Sequence, residues 1–109
     1  MSESALQKHI MDYLRLKRCL VFKHHSTGFT MKNGEARAFK YGDKGIADII
    51  GCFPNGRFLA VEVKLPGNKP TPEQLEFLDT VHQKNGIGIV ATSLEDVMRL
   101  FPEDLTQLP

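Results

Sequence analysis

Tryptophan is absent from the 109 residues, only two cysteines occur, and no apolar run approaches the roughly 18 residues that a membrane-spanning helix needs. These shortages exclude several classes at once. Cys19 and Cys52 sit inside apolar runs without a CxxC spacing or a paired histidine motif, so a disulfide framework or a structural zinc is not expected and buried, reduced thiols are. The N-terminus carries Glu3, Lys8, His9 and Asp12 where a secretory signal would need an apolar stretch. A soluble, intracellular chain is expected, in the cytoplasm. There is no GxxxxGK[ST] for a phosphate-binding loop and no nucleophile elbow, and Gly86-Ile87-Gly88 is only a lone glycine pair.

What is present describes one globular domain spanning residues 1–109. With 41% hydrophobic and 25% charged side chains, a chain of this size buries roughly 65% of the surface it exposes when unfolded. Its formal charge of +1 conceals a strong polarity. Residues 8–44 hold nine Lys or Arg against three acids, whereas residues 71–104 hold two against seven. The basic segment suits a polyanionic partner, although solvated faces of ordinary helices would give the same count.

Along the chain, residues 3–18 read as a helix capped by Ser2, with Leu6, Ile10, Tyr13 and Leu14 in one apolar stripe. Placing residues at 100° intervals puts Glu3 within that stripe. Residues 19–25 read as a strand, and Ser26 to Gly45 as a poorly packed hairpin or a long loop of the kind that often carries function. Residues 46–53 and 57–64 are two strands joined by Pro54-Asn55-Gly56, a turn of hairpin length. If Phe53 pairs with Arg57, Asp48 lies opposite Glu62, and Phe58, Ala60, Glu62 and Lys64 share a face. Thr71-Pro72-Glu73-Gln74 is a helix start with capping-box spacing. That helix is expected to reach about Asn85 with Leu75, Leu78, Val81 and His82 inward, ended by Gly86. A strand from Ile87 to Ala91 follows, then a short helix capped by Ser93 and terminated by Pro102, with the tail after Phe101 dispensable. The order αβββαβα predicts an α/β fold, a mixed central sheet flanked by helices.

Two carboxylates facing each other across a strand pair have Cβ atoms about 5 Å apart and repel unless neutralised. Asp48 and Glu62 offer the hard oxygen ligands that magnesium or manganese takes. Lys64 on the same face adds an ammonium that can stabilise charge developing on a phosphate. Glu3 is a candidate for a further carboxylate. The alternative for the same residues is a Glu62–Lys64 ion pair with Asp48 exposed. Against it, Asp48 is embedded in an otherwise apolar strand, where an unpaired charge is costly. His24 and His25, adjacent on a strand, point to opposite faces, so joint metal ligation is not expected of them; one is read as exposed or DNA-contacting and the other as packed.

In this order, Glu3, Gly45-Ile46-Ala47-Asp48, Glu62-Val63-Lys64 and Gln74 resemble the PD-(D/E)XK nuclease superfamily. More narrowly they resemble the stand-alone VRR-NUC nucleases of phages and bacteria, relatives of archaeal-type Holliday junction resolvases. The resemblance runs from Glu3 through Ala91 and implies a restriction-endonuclease-like fold. It makes Asp48 and Glu62 metal ligands, joined by the Val63 carbonyl and by Glu3 as a metal-site or water-contacting acid. Lys64 becomes the catalytic lysine, and Gln74 a residue placing the lysine or the phosphate. The superfamily's proline is replaced by Ala47, which matches the narrower family's Gly-x-x-Asp form. Gln74 also has a reading as a plain capping-box residue, and Glu3 as a first-turn acid favoured by the helix dipole.

The activity these residues imply is a magnesium-dependent endonuclease, with manganese able to substitute, that hydrolyses phosphodiesters in DNA. Branched DNA, a four-way junction in particular, and a homodimer with two sites follow from the family likeness. Lys8, Arg15, Lys23, Lys32, Arg37, Lys40, Lys44 and Lys69 are the candidate backbone contacts. Phe29 and Met31 in the long loop, or Leu94, Met98 and Phe101 in the final helix, are the candidate dimer surface. The alternatives are a flap or duplex nuclease directed by a partner, and a nuclease-fold module that binds without cutting.

Overall fold

In the computed structural model, residues 1–24 and 45–105 are described. His25, Phe29, Met31, Lys32, Arg37, Lys40 and Lys44 lie outside them. The elements are α1 (Glu3–Leu16), β1 (Leu20–Lys23), β2 (Ile49–Cys52), β3 (Phe58–Val63), α2 (Pro72–Gln83), β4 (Ile87–Ala91), α3 (Leu94–Met98) and α4 (Pro102–Leu105). The strands form one sheet in the order β1-β2-β3-β4. The first two pairings are antiparallel, and β3 and β4, joined through α2, are parallel. The expected mixed α/β sheet with flanking helices is what forms.

Local chemistry explains the ends of the helices. Ser2 Oγ accepts from Ala5 N at 3.1 Å and opens α1. The helix stops at Leu16, two residues before the expected end, and Arg18, at φ 67°, turns the chain away from it. A full capping box opens α2: Thr71 Oγ1 accepts from Gln74 N at 3.2 Å, and Gln74 Oε1 accepts from Thr71 N at 2.8 Å. Asn85, at φ 68°, rather than Gly86 takes the left-handed position after α2.

Period-two alternation sorts the strand residues into two cores. Leu59, Val61 and Val63 join Ile49, Val21 and the inner stripe of α1 (Leu6, Ile10, Leu14) on one face. Ala60, beneath Leu78 and Val81 of α2 and beside Ala47, belongs to the smaller core on the other. Phe58, Glu62 and Lys64 share the parity of Ala60, so they rise on the α2 side of the sheet.

Four expectations need correction. The strands are shorter than predicted: β1 stops at Lys23, β2 begins only at Ile49, and β3 ends at Val63. Leu75 is 52% exposed, because α2 tilts its inner face through Leu78 and Val81 instead. Pro102 does not merely end a helix; with its fixed φ it starts α4. Residues 102–105 are therefore tied down: Tyr13 Oη donates to Asp104, while Lys17 Nζ reaches Glu103 at 3.2 Å and Asp104 at 3.1 Å. Phe101, proposed as dimer surface with Leu94 and Met98, is buried against Tyr13 and Phe53. Leu94 packs against the same core, and Met98 is half-buried.

Candidate active site

The approach to β2 is set by a glycine. Gly45 has φ +87°, and a Cβ there would lie 2.5 Å from the carbonyl oxygen of Glu73 in the first turn of α2. Only glycine lets this backbone lie so close to the helix. The consequence is that Ala47 is buried under α2 and Asp48 stands immediately before the start of β2.

Asp48 is held from both neighbouring strands. Its carbonyl accepts from His24 N at 2.7 Å, and its Oδ2 accepts from Val63 N at 2.9 Å. The β2–β3 register runs Ile49↔Val61 through Cys52↔Phe58, with Phe53 N donating to Arg57 O at 2.9 Å beyond it. Continued by one residue, that register sets Asp48 opposite Glu62, as the hairpin turn predicts.

Glu62 is 1% exposed in a strand whose other buried members are apolar. Its Oε2 lies 3.4 Å from Lys64 Nζ, and its Oε1 is buried with no hydrogen-bond partner. Burial foremost, and then the charge of Asp48, push the Glu62 carboxyl up to about 7, against the opposing pull of Lys64. The ion pair thus exists, but it satisfies only one of the two oxygens. A buried acceptor left so costs on the order of 1–3 kcal/mol. A divalent cation beside Oε1 removes that cost and the repulsion between the carboxylates, so the donor set fits such an ion. The Val63 carbonyl leaves β3 on the side of its N–H, which is the side of Asp48.

Other predicted residues are arranged less closely. Gln74 has its Oε1 committed to the capping box. Glu3 opens α1, which packs on the opposite face of the sheet. The N-terminus of that helix nonetheless reaches the end of the sheet from which Lys64 emerges, where Met1 and Leu6 share a cleft with Leu65, Pro66 and Ser93. Among the described residues no three His, Cys, Asp or Glu side chains converge closely enough to hold a metal, so Glu3 is not gathered with Asp48 and Glu62. Lys8, Arg15 and Lys23 line one cleft of about 290 Å³ between α1 and β1, together with Ser4, Gln7, Met11 and Asp12. Lys8 is paired there with Asp12 at 3.0 Å. Lys69 is exposed on the connection from β3 to α2.

The VRR-NUC domain model matches residues 2–95, which includes every element from α1 to the start of α3. The chain belongs to the VRR-NUC family. A curated relative, "Putative nuclease p44" of Acyrthosiphon pisum secondary endosymbiont phage 1, is 32% identical over 73 residues. The match covers 67% of this chain and 63% of that protein, so the chain spans less than two thirds of its length. Two solved structures, each described as a VRR-NUC domain or domain protein, share the fold. One superposes with a TM-score of 0.64 at 24% identity over 92% of this chain and 94% of the other. The second gives 0.58 at 20% identity over 94% and 86%. The fold of this VRR-NUC chain is accordingly restriction-endonuclease-like. Among the described residues no helix is long and apolar enough to cross a membrane.

Proposed function

We propose that this VRR-NUC domain is a divalent-metal-dependent endonuclease that hydrolyses phosphodiester bonds in DNA, with branched DNA as its substrate and a homodimer as its working unit. The observation that carries the reading is the unpaired Oε1 of Glu62, buried opposite Asp48 with Lys64 at 3.4 Å from its other oxygen. Asp48 and Glu62, with the Val63 carbonyl, would hold magnesium or manganese. Bound there, the ion supplies positive charge that polarises a phosphoryl oxygen and acidifies water.

The chain's own residues do the rest. Lys64, its side chain 17% exposed, presents its ammonium where negative charge grows on the phosphate oxygens as water attacks. Being largely desolvated, that charge acts more strongly than it would at the surface. The low exposure of Glu62 keeps bulk water from competing for the same oxygens. Lys8, Arg15 and Lys23 line a cleft that can track a phosphate backbone, and the basic residues Lys32, Arg37, Lys40, Lys44 and Lys69 are assigned the same role. Two copies related by a two-fold axis would place two such sites symmetrically about a branch point, as paired cuts at a four-way junction require.

Cleavage of labelled duplex, flap and four-way junction DNA with and without magnesium tests this reading. Paired nicks across the junction, only with metal, are expected. Preference for flaps or plain duplex would remove the junction assignment and leave the nuclease. Binding without cutting on every substrate, in either magnesium or manganese, would overturn the activity.

A further inference from the structure

The sheet register aligns a third side chain with the two carboxylates. In the β1–β2 ladder Leu20 pairs with Cys52 and Lys23 with Ile49, so the next residue, His24, stands opposite Asp48. The contact is realised in the backbone, where His24 N donates to Asp48 O at 2.7 Å. In β1 the buried Val21 faces the α1 core, so Leu20, Phe22 and His24 belong to the other face, the one that Asp48 and Glu62 share. Three strands therefore place His24, Asp48 and Glu62 in one row, with neighbouring Cβ atoms about 5 Å apart.

The two outer members of that row share an unusual property. Among the described residues, only three side-chain nitrogen or oxygen atoms are buried without a hydrogen-bond partner: Gln7 Oε1, His24 Nε2 and Glu62 Oε1. Two of the three flank Asp48. Their chemistry is complementary: a carboxylate oxygen calls for a cation, and an imidazole N–H for an anionic oxygen. A phosphate bound to a cation beside the carboxylates supplies such an oxygen. His24 is not a third ligand of that cation in this arrangement, since no three acid or imidazole groups converge on one point among the described residues. On the other side of the row Lys64 sits next to Glu62, so the carboxylates are bracketed by two potential phosphate donors.

We propose that His24 is a phosphate-binding residue of this site, its Nε2–H donating to a non-bridging oxygen of the nucleic-acid phosphate that lies beside Asp48 and Glu62. The proposal rests on the nuclease reading above and adds a residue to it. His24 stabilises charge on the phosphate from the β1 side while Lys64 does so from the β3 side. Loss of a preorganised donor of this kind lowers the chemical step on the order of 100- to 1,000-fold.

The test compares His24→Ala, His24→Asn and His24→Gln with the wild type and Asp48→Asn, by single-turnover cleavage in magnesium, DNA affinity in EDTA and thermal melting. A Gln amide nitrogen reaches about as far as Nε2, whereas an Asn amide nitrogen reaches only as far as Nδ1. The expected result is a step slower on the order of 100- to 1,000-fold for His24→Ala and His24→Asn, substantial recovery for His24→Gln, affinity within about threefold throughout, and unchanged melting. Cleavage by His24→Ala at the wild-type rate, with Asp48→Asn inactive, overturns the proposal alone. Recovery by Asn instead of Gln overturns the assignment to Nε2, and rate losses that merely track lowered melting temperatures overturn it in favour of a structural role. A wild type that cuts no substrate overturns the nuclease reading and this inference with it.

Discussion

Replacing Glu62 by Gln should make the protein more stable and inactive at once. The carboxyl is raised from 4.5 to about 7 in the folded chain. At about 1.4 kcal/mol per tenfold change in proton affinity, keeping it ionised at pH 8 costs the folded state about 3 kcal/mol. Gln has nearly the same shape and carries no charge, so that cost disappears together with the repulsion from Asp48. That figure is already net of the attraction of Lys64, 3.4 Å away, which pulls the carboxyl down. The expectation is about 3 kcal/mol, or about 15 °C in melting temperature for a chain of this size. Because the folded pKa lies above the unfolded one, the folded protein binds more protons between about pH 4.5 and pH 7. Wild-type stability therefore falls as pH rises through that window, and the advantage of the Gln variant opens from near zero below pH 4.5 to its full size above pH 7. Thermal or urea unfolding in EDTA across pH 4–8 measures it. A variant melting no higher than wild type at pH 8, or an offset equal at pH 4 and pH 8, would refute the reasoning.

Lys64→Ala should reduce single-turnover cleavage at least 100-fold with DNA affinity almost unchanged, because its charge acts chiefly in the transition state; a loss confined to binding would make it an anchor instead. Log affinity should fall with log salt at about −0.9 per phosphate contact, and charge reversal at Lys8, Arg15 or Lys23, which line one cleft, should each flatten the slope by about one contact. Gly45→Ala, at φ +87° and with its new Cβ 2.5 Å from the Glu73 carbonyl, should cost at least about 2 kcal/mol in unfolding experiments and displace Asp48 enough to slow cleavage. Asp104→Ala should lower the melting temperature and loosen α4, since Tyr13 and Lys17 both bind that carboxylate.

Much of this site was legible because its determinants are local. The Pro54-Asn55-Gly56 turn fixes the β2–β3 register, and with it the opposition of Asp48 and Glu62. The capping box at Thr71 and Gln74 announces α2 within four residues. What escaped the sequence depends on distant pairings. The β1–β2 ladder joins strands 25 residues apart, so no local signal places His24 beside Asp48. The docking of α4 rests on Tyr13 and Lys17 meeting Asp104 from the other end of the chain. Phe101 looked like surface because the side chains that bury it, Tyr13 and Phe53, are remote in sequence. Gln74 illustrates a different limit, since one spacing serves both a cap and an active-site residue, and only the bond to Thr71 N shows where its oxygen goes.

Electron paramagnetic resonance of free manganese, titrated with wild type, Asp48→Asn and Glu62→Gln, tests most directly whether the two carboxylates hold one divalent ion. One site per chain in the wild type, displaced by magnesium and lost in both variants while each stays folded, is the predicted result. Undiminished binding by both variants would contradict the account.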